Sequence, residues 1–322
     1  MEISGVHVFA DADDYAHGLG IAPTRFVVTG PGRFWARMAR LVLPHLDLLE
    51  LTESQPRIAY IGLAPERLHV TYSLRADTAM LWSGVGLQRD DIWFHGRRES
   101  LHQRVSGPAH WGLLSLDPMY FATAVHALTG RSLSVPKFGR LFRPPRAEVK
   151  RLFRLHVAAA RFGEHKSKLV LDPEVARAIE HDLIECLIDC LSPDNERNDI
   201  GVWRHRTEVV GRLEAFLEAN SDRSVSADEL STAVGVSERT LRSYCADCLG
   251  VSPSRYVRLR RLKRVRLALR SAAPTPTTVA DVARSYGFLD PGRFAATYQA
   301  TFGEFPSTTL RRVDGSKMGA GF

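Results

Sequence analysis

Two arginines and a serine lie close together in the C-terminal third of the chain, at Arg239, Arg242 and Ser243. They follow Ser237, whose hydroxyl can satisfy the free backbone amides at the start of a helix. On that helix they fall outside the apolar side, which carries Leu241. An arginine fork matches the O6 and N7 acceptors of guanine, so these positions are candidates for base contacts in the major groove of DNA. The alternative is that they are solvated residues on a helix face.

A second segment, residues 278–312, offers fewer polar groups for such contacts. Its predicted helix start holds Pro291, Gly292, Arg293 and Ala296, of which only Arg293 can make a strong polar contact. Arg293 is therefore the candidate base contact here. We otherwise expect this segment to contribute phosphate contacts and recognition of DNA shape.

The helix predicted between the two segments, at 253–270, contains eight basic residues and no acidic one. An unbroken run of like charge repels itself, and a phosphate backbone beside the helix would relieve that repulsion. A solvated charged face is the alternative. Hydroxyls near the helix starts also suit phosphate oxygens. The predicted phosphate contacts are Ser237, Thr240, Arg258, Lys263 and Thr297.

The two segments are copies of one pattern. Gly235 corresponds to Gly287 at an offset of 52, and after one inserted residue Leu241 corresponds to Phe294. Further matches follow in order: Cys245 with Tyr298, Leu249-Gly250 with Phe302-Gly303, and Pro253-Ser254 with Pro306-Ser307. In each copy a short amphipathic run stops at a glycine and a second run begins after a turn, which is the pattern of a helix-turn-helix unit. Ser226 and Glu229 predict a capping box at the start of the first unit.

Tandem units joined by one helix resemble the DNA-binding domain of the AraC/XylS family of bacterial transcription regulators. The resemblance covers about 110 residues and is carried by 235–241 (GVSERTL), 249–253 (LGVSP), 282–283, 286–288, 292–294, 302–307 (FGEFPS) and 310–311. It implies a homodimeric regulator that binds double-stranded promoter DNA and contacts RNA polymerase. It also implies an upstream sensor domain for a small-molecule effector.

The charge distribution agrees with a polyanion partner for this region. The chain has 322 residues and a formal net charge of +7. Residues 202–312 hold 18 Lys and Arg against 11 Asp and Glu, so the whole excess lies there. We found no apolar run long enough for a membrane span and no secretion-signal pattern. We therefore expect a cytoplasmic, nucleoid-associated protein without membrane contact.

Residues 1–117 consist of short alternating runs separated by turns, which predict a cupin-like β-barrel or sandwich. A barrel of this size can hold one small ligand. Five aromatic residues either line an effector pocket in it or simply fill its core. They are Tyr60, Tyr72, Trp82, Trp93 and Trp111.

Residues 118–192 show helical periodicity and predict a support and dimerisation region. One stripe, with Glu180 mostly off it, either covers the barrel or pairs with a second chain. The stripe consists of Val175, Ile179, Leu183, Leu187 and Cys190. The remaining boundaries predict a linker at 193–201, the DNA-binding domain at 202–313 and a flexible tail at 314–322. The fold class predicted for the whole chain is α+β and multidomain, with an all-α C-terminal domain.

Metal and catalytic chemistry have little support in the sequence. His95, His102 and His110 lack an acidic partner at ligand spacing, and we expect them to be structural. The cysteines form two helix-spaced pairs, 186 with 190 and 245 with 248, which suit reduced thiols better than disulfides. Of these, Cys248 is expected to be the more exposed.

Two other functions remain as alternatives to an effector-controlled regulator. One is an enzyme joined to a DNA-targeting module, although no clustered nucleophile and base is apparent. The other is a constitutive architectural DNA binder whose barrel only dimerises. We expect no cofactor, no metal and no catalytic residue.

Overall fold

The computed structural model describes residues 4–20, 24–75, 79–97, 99–133, 135–136, 138–165, 172–197, 200–221, 223, 225–271 and 278–317. The first part of the chain builds two antiparallel sheets that pack against each other, here termed the barrel. Their strands are β1 Gly5–Phe9, β2 Thr24–Val28, β3 Ala36–Val42, β4 Leu46–Glu53, β5 Arg57–Gly62, β6 Leu68–Ser73, β7 Met80–Trp82, β8 Val85–Leu87, β9 Ile92–Phe94, β10 Ser100–Val105, β11 Ala109–Leu116, β12 Arg140–Phe142 and β13 Glu196–Arg197. The larger sheet has the order β1-β3-β4-β11-β6-β9-β12-β13, and the smaller has β2-β5-β10-β7-β8.

The larger sheet is covered on both faces. Leu49 and Leu51 of β4 face the smaller sheet and pack in one apolar cluster with Trp82. Leu48 of the same strand faces the opposite side and packs in a second cluster with Leu152. Leucines therefore occur on both faces of β4, as expected for a strand that is covered on both sides.

Helices cover the outer face of this sheet. They are α2 Pro118–Thr129, α3 Arg146–His165 and α4 Pro173–Cys190, whereas α1 Ala12–Gly18 packs through Tyr15 in the cluster between the two sheets. Leu183 and Leu187 of α4 are fully buried in the cluster that includes Leu152 of α3 and Leu48 of the sheet. Most of the apolar stripe of α4, from Ile179 to Cys190, therefore packs on the barrel.

One prediction for α4 was wrong. Glu180 is not off the buried face; it is 1% exposed, and its carboxylate accepts a hydrogen bond from the backbone N–H of His45 at 2.5 Å. Burial raises the pKa of Glu180 above its ordinary value. A backbone amide at the end of a strand supplies the partner, and the sequence of α4 alone contains no sign of it.

The C-terminal part is helical, and its helices are α5 Ile200–Ala219, α6 Ala227–Val234, α7 Glu238–Tyr244, α8 Pro253–Ser271, α9 Val279–Ser285, α10 Pro291–Phe302 and α11 Pro306–Lys317. A π-helical turn, Cys245–Leu249, continues α7. Part of the predicted linker is ordered, because β13 pairs with β12 through Phe142 and Glu196. Helix α11 also covers the first part of the predicted tail, and residues 318–322 of that tail lie outside the described residues.

A buried polar network joins the barrel to the helical part. His102 of β10 lies 2.9 Å from Glu214 of α5, and the hydroxyl of Tyr256 of α8 donates to the same carboxylate at 2.6 Å. Arg260 of α8 forms an ion pair with Glu214. Burial would raise the pKa of the Glu214 carboxyl, but Arg260 and then His102 and Tyr256 outweigh it and lower the pKa to about 2. Glu214 therefore stays ionised at neutral pH.

We expect the Glu214→Gln variant to lower the free energy of unfolding by about 3 kcal/mol at pH 7, because it leaves the buried Arg260 with only the half-exposed Glu218 as an ionic partner. Urea denaturation measures this, with Glu66→Gln as the control, since Glu66 is exposed on the barrel. The folded pKa lies below the ordinary value of 4.5, so the contribution is present above that pH and is lost as pH falls towards 2. Equal stabilities for the two variants would contradict the network's role.

Candidate nucleic-acid interface

The two helix-turn-helix units begin with the same type of cap. In the first, the Ser226 hydroxyl accepts from the Glu229 amide at 3.1 Å and the Glu229 carboxylate accepts from the Ser226 amide at 2.8 Å. In the second, Thr278 and Asp281 make the same reciprocal pair at 3.2 and 3.3 Å. The predicted capping box is confirmed, and its counterpart lies 52 residues later, at the offset of the repeat. Reciprocal capping fixes where each first helix starts.

The turns of the two units also correspond. Gly235 and Gly287 have φ values of 73° and 74°, and Gly250 and Gly303 have 67° and 70°. This left-handed conformation is accessible to glycine at little cost. The repeat found in the sequence is therefore a repeat of backbone geometry.

Helix α7 presents the predicted base contacts of the first unit. Ser237 caps it by accepting from the Thr240 amide at 3.1 Å, and Leu241 is buried beneath it. Arg239, Arg242 and Ser243 are all exposed. Arg242 pairs with Glu238 one turn earlier, an exposed contact that is weak in water and easily exchanged for a nucleic-acid partner.

Helix α10 begins differently. Asp290 caps it by accepting from the Arg293 amide at 3.0 Å, and Pro291 occupies the first position. The Arg293 side chain is 88% exposed and lies 3.4 Å from Asp290. Gly292 and Ala296 are exposed as well. The exposed side chains beside Arg293 are therefore small and apolar.

The predicted phosphate contacts fall into two groups. Ser237 and Thr240 are exposed at the start of α7, where their hydroxyls lie 2.8 Å apart. Arg258 of α8 is exposed and donates to the Thr297 hydroxyl of α10 at 2.8 Å. These four side chains border the two recognition helices. Lys263 lies elsewhere.

Lys263 faces the barrel, where its ammonium pairs with Asp13 at 2.5 Å. Its side chain is only 15% exposed, so in this arrangement it is not open to a phosphate and the expectation needs correction. The same applies to its neighbours: Arg266 pairs with Asp11 at 2.5 Å, and Arg270 pairs with Asp11 at 2.8 Å. Carboxylates of the barrel, rather than phosphates, relieve the repulsion along this side of α8.

These acidic partners were missed by sequence reasoning. Asp11, Asp13 and Asp14 form a compact acidic group at the start of α1, and Arg270 reaches Asp14 at 3.1 Å. Burial raises the pKa of Asp11, but Arg266 and Arg270 outweigh it and hold the pKa below its ordinary value. The acidic group was visible in the sequence, opposite in sign to the C-terminal region. Nothing local indicated that the two would meet.

The C-terminal region is similar in sequence to known proteins. Residues 230–312 match the family described as a helix-turn-helix domain. The chain is 39% identical over 99 residues to the XylDLEGF operon transcriptional activator 2 of Pseudomonas putida, which covers 31% of this chain and 63% of that one. It is 36% identical to a probable AraC family transcriptional regulator from Rhodopseudomonas palustris in a crystal structure, covering 33% of this chain and 96% of that one, with a TM-score of 0.31.

The chain belongs to the AraC/XylS family of transcriptional regulators. A further relative, the probable thc operon regulatory protein of Rhodococcus erythropolis, is 37% identical over 98 residues, or 30% of each chain. The XylDLEGF operon transcriptional activator of P. putida matches over 32% of its length. The chain thus spans less than two thirds of these curated relatives, and the similarity lies in the tandem units.

The five aromatic residues that were predicted to line an effector pocket make separate contacts in the part of the chain that the structure describes. The hydroxyl of Tyr72 lies 2.7 Å from His156, and the indole of Trp111 donates to Glu53 at 2.8 Å. Trp82 and Trp93 are 2% and 3% exposed. Tyr60 is half-buried against His102. The expectation of a pocket lined by these residues is corrected. Tyr72, Trp93 and Trp111 belong to the larger sheet, which is covered on both faces, so large side chains of either orientation become core there. Trp82 lies on the smaller sheet and packs in the cluster between the two sheets.

The three candidate histidines also separate. His95 lies 2.9 Å from Thr71, and His110 lies 2.8 Å from Glu50, while His102 belongs to the Glu214 network. Within the described residues, no group of three or more His, Cys, Asp or Glu is placed to hold a metal ion. No helix of the described part is long and apolar enough to cross a membrane.

All four cysteines are free thiols and buried. Cys248 is 1% exposed, so its predicted exposure was wrong. It lies on the π-helical turn that packs against β10 of the barrel, which covers a face that would be open in an isolated helix-turn-helix unit. Burial raises the pKa of the Cys245 thiol to about 12, so this thiol stays protonated.

A matched pair of glycines tests how the second unit sits on the barrel. A Cβ at Gly303 would lie 2.9 Å from the backbone of Gly32, whereas one at Gly235 would meet nothing within 4 Å. Both share the same left-handed φ. We expect Gly235→Ala to lower the free energy of unfolding by about 1 kcal/mol through backbone strain, and Gly303→Ala by about 3 kcal/mol through strain plus the clash. Urea denaturation of both variants measures the difference, and equal losses would show that Gly32 is not in contact.

Proposed function

We propose that the protein is a one-component transcription regulator that binds double-stranded promoter DNA through its tandem helix-turn-helix units. The observation that carries the proposal is the start of each recognition helix. Both α7 and α10 have a capped, exposed N-terminal turn that holds an arginine, Arg239 in one and Arg293 in the other. Side chains at that end of a recognition helix are the ones that reach base edges.

In this proposal the two helix-turn-helix units make different kinds of contact with DNA. Arg239, Arg242 and Ser243 read bases, since two of them carry the forked donor that suits guanine. Arg293 makes the one polar base contact of the second unit. Small residues beside it let α10 lie close to the DNA backbone, so this unit mainly contributes phosphate contacts and shape recognition. Ser237, Thr240, Arg258 and Thr297 contact phosphates.

The barrel controls these units in the proposal. A small-molecule effector binds in the N-terminal part and shifts the balance between two arrangements of the helical part, which requires unequal affinity for the two. Domain boundaries at 117, 192, 201 and 313 are part of this proposal. So are a cytoplasmic, nucleoid-associated location, contact with RNA polymerase, and a homodimer formed through the helical layer. Helix α2 supports the last point, because Tyr120 and Leu128, which lie on one side of it, are 37% and 47% exposed.

Footprinting on the DNA upstream of the protein's own gene tests this function directly. Two protected major-groove segments on one face of the duplex, separated by about one helical turn or 34 Å, would support it. Absence of protection there and on randomised duplex pools would contradict it. The protected duplex then serves as the probe for the substitutions below.

We expect Arg239→Ala or Arg242→Ala to weaken binding to the protected duplex by about tenfold to a hundredfold, as for loss of one bidentate base contact, while binding to a scrambled duplex changes little. Arg258→Ala should weaken both alike and reduce the salt dependence by about one phosphate contact. Fluorescence anisotropy across a salt series separates these outcomes. Arg212→Ala is the control, because Arg212 is exposed on α5 and belongs to neither recognition helix. Equal losses on both duplexes for Arg239→Ala and Arg242→Ala would remove them as base contacts.

A further inference from the structure

A cavity of about 410 Å³ lies where the edge of the larger sheet meets α2, α3 and α4. Its apolar wall includes Phe94 of β9, Phe121 of α2 and Phe142 of β12, all of them buried. None of the five aromatic residues predicted to line a pocket contributes to it. The volume falls in the range typical of small-molecule sites, which combine apolar walls with a few placed polar groups.

The segment that leads to the DNA-binding region forms part of this cavity. Ser192, Pro193 and Glu196 line it. The segment is held to β12 of the barrel by two neighbouring contacts: the Arg143 amide donates to the carbonyl of Asn195 at 2.8 Å, and Glu196 pairs in register with Phe142. The next described helix is α5, which carries Glu214 of the buried network. A molecule in the cavity therefore touches the chain between sensor and DNA-binding parts.

The charged residues lining the cavity are paired with one another or with neighbours, apart from two. Arg140 pairs with Glu196 at 3.2 Å, and Asp189 pairs with Arg151 at 3.7 Å. Arg131 is exposed at the rim. The other is Glu148 of α3, which is half-buried in the cavity lining.

Glu148 has one carboxylate oxygen, Oε2, that is enclosed and without a hydrogen-bond partner among the residues that the structure describes. Enclosed polar atoms nearly always have a partner in folded proteins, and one without a partner calls for a ligand, an ion or water. A carboxylate oxygen only accepts hydrogen bonds, so its missing partner is a donor, and a charged donor gives the stronger bond.

We propose that this cavity binds a small apolar amine, with its ammonium group on Glu148 and its hydrocarbon body against Phe94, Phe121 and Phe142. The inference rests on the proposed function, for which it supplies the effector site and the chemical class of the effector. Because the ligand also touches Ser192, Pro193 and Glu196, it binds best when this segment lies on the barrel. Binding therefore stabilises the described arrangement of the segment.

Calorimetric titration of the full chain tests the proposal. The probes are benzylamine, cyclohexylmethylamine and naphthylmethylamine, each compared with the alcohol and the carboxylate of the same hydrocarbon body. We expect at least one amine to bind ten times more tightly than its alcohol and carboxylate counterparts. Absence of amine binding at millimolar concentration, or preference for the carboxylate, would overturn the proposal.

Two substitutions locate the binding. Glu148→Gln should weaken the amine about tenfold or more, by removing a charge-assisted bond, and leave the alcohol unchanged. Glu174→Gln, on an exposed acid at the start of α4, is the matched control. Thr129→Trp places a large side chain into the cavity lining and should abolish binding of all probes. If Glu148→Gln and Glu174→Gln have equal effects, or Thr129→Trp leaves binding intact, the amines bind elsewhere and the proposal fails.

The DNA footprint, measured on the same preparation, keeps the two proposals apart. A normal footprint without amine binding refutes the amine site and leaves the regulator function standing. Amine binding without any footprint supports the cavity and refutes the regulator function.

Discussion

Neutralisation of the basic face of α8 is the constraint on which the arrangement of the molecule depends. This helix joins the two helix-turn-helix units and carries eight basic residues without an acidic one. On one side, Arg260 and Arg264 pair with Glu218 of α5. On the side of the barrel, Lys263, Arg266 and Arg270 pair with the acidic group at 11–14. Arg260 also pairs with Glu214, whose side chain is 1% exposed and which His102 and Tyr256 contact as well.

A phosphate backbone would bind the same positively charged face of α8, so the barrel and DNA compete for part of it. Ion pairs at the border, such as Arg270 with Asp14, are half-exposed and cost little to exchange. Glu214 and Arg260 are buried and cost much more to separate. In one arrangement the basic face of α8 lies on the barrel acids, and in the other it is released from them. An effector that favours one position of the segment before α5 can shift the equilibrium between these two arrangements without contacting DNA. The effector site and the DNA site are then thermodynamically coupled.

The features that could be predicted from the sequence depend on residues close together along the chain. Caps such as Ser226 with Glu229, and turn glycines such as Gly235, depend on residues within a few positions, and the repeat displayed them twice. What it could not predict depended on distant partners. Asp11 forms an ion pair with Arg266, which is distant from it in sequence. Cys248 is buried by a strand of the barrel. Trp111 is core rather than pocket because the sheet beneath it is covered on both faces, a property of the assembled layers rather than of any one strand.

The competition between barrel acids and DNA is tested most directly by the salt dependence of DNA affinity in the Asp11→Asn/Asp13→Asn/Asp14→Asn variant. The account predicts tighter binding than wild type, with a slope steeper by about one to three phosphate contacts, because Lys263, Arg266 and Arg270 become available to the backbone. A control variant removes the same charge from exposed sites elsewhere: Glu66→Gln, Glu174→Gln and Asp182→Asn. Affinity and slope equal to those of the control variant would contradict the account.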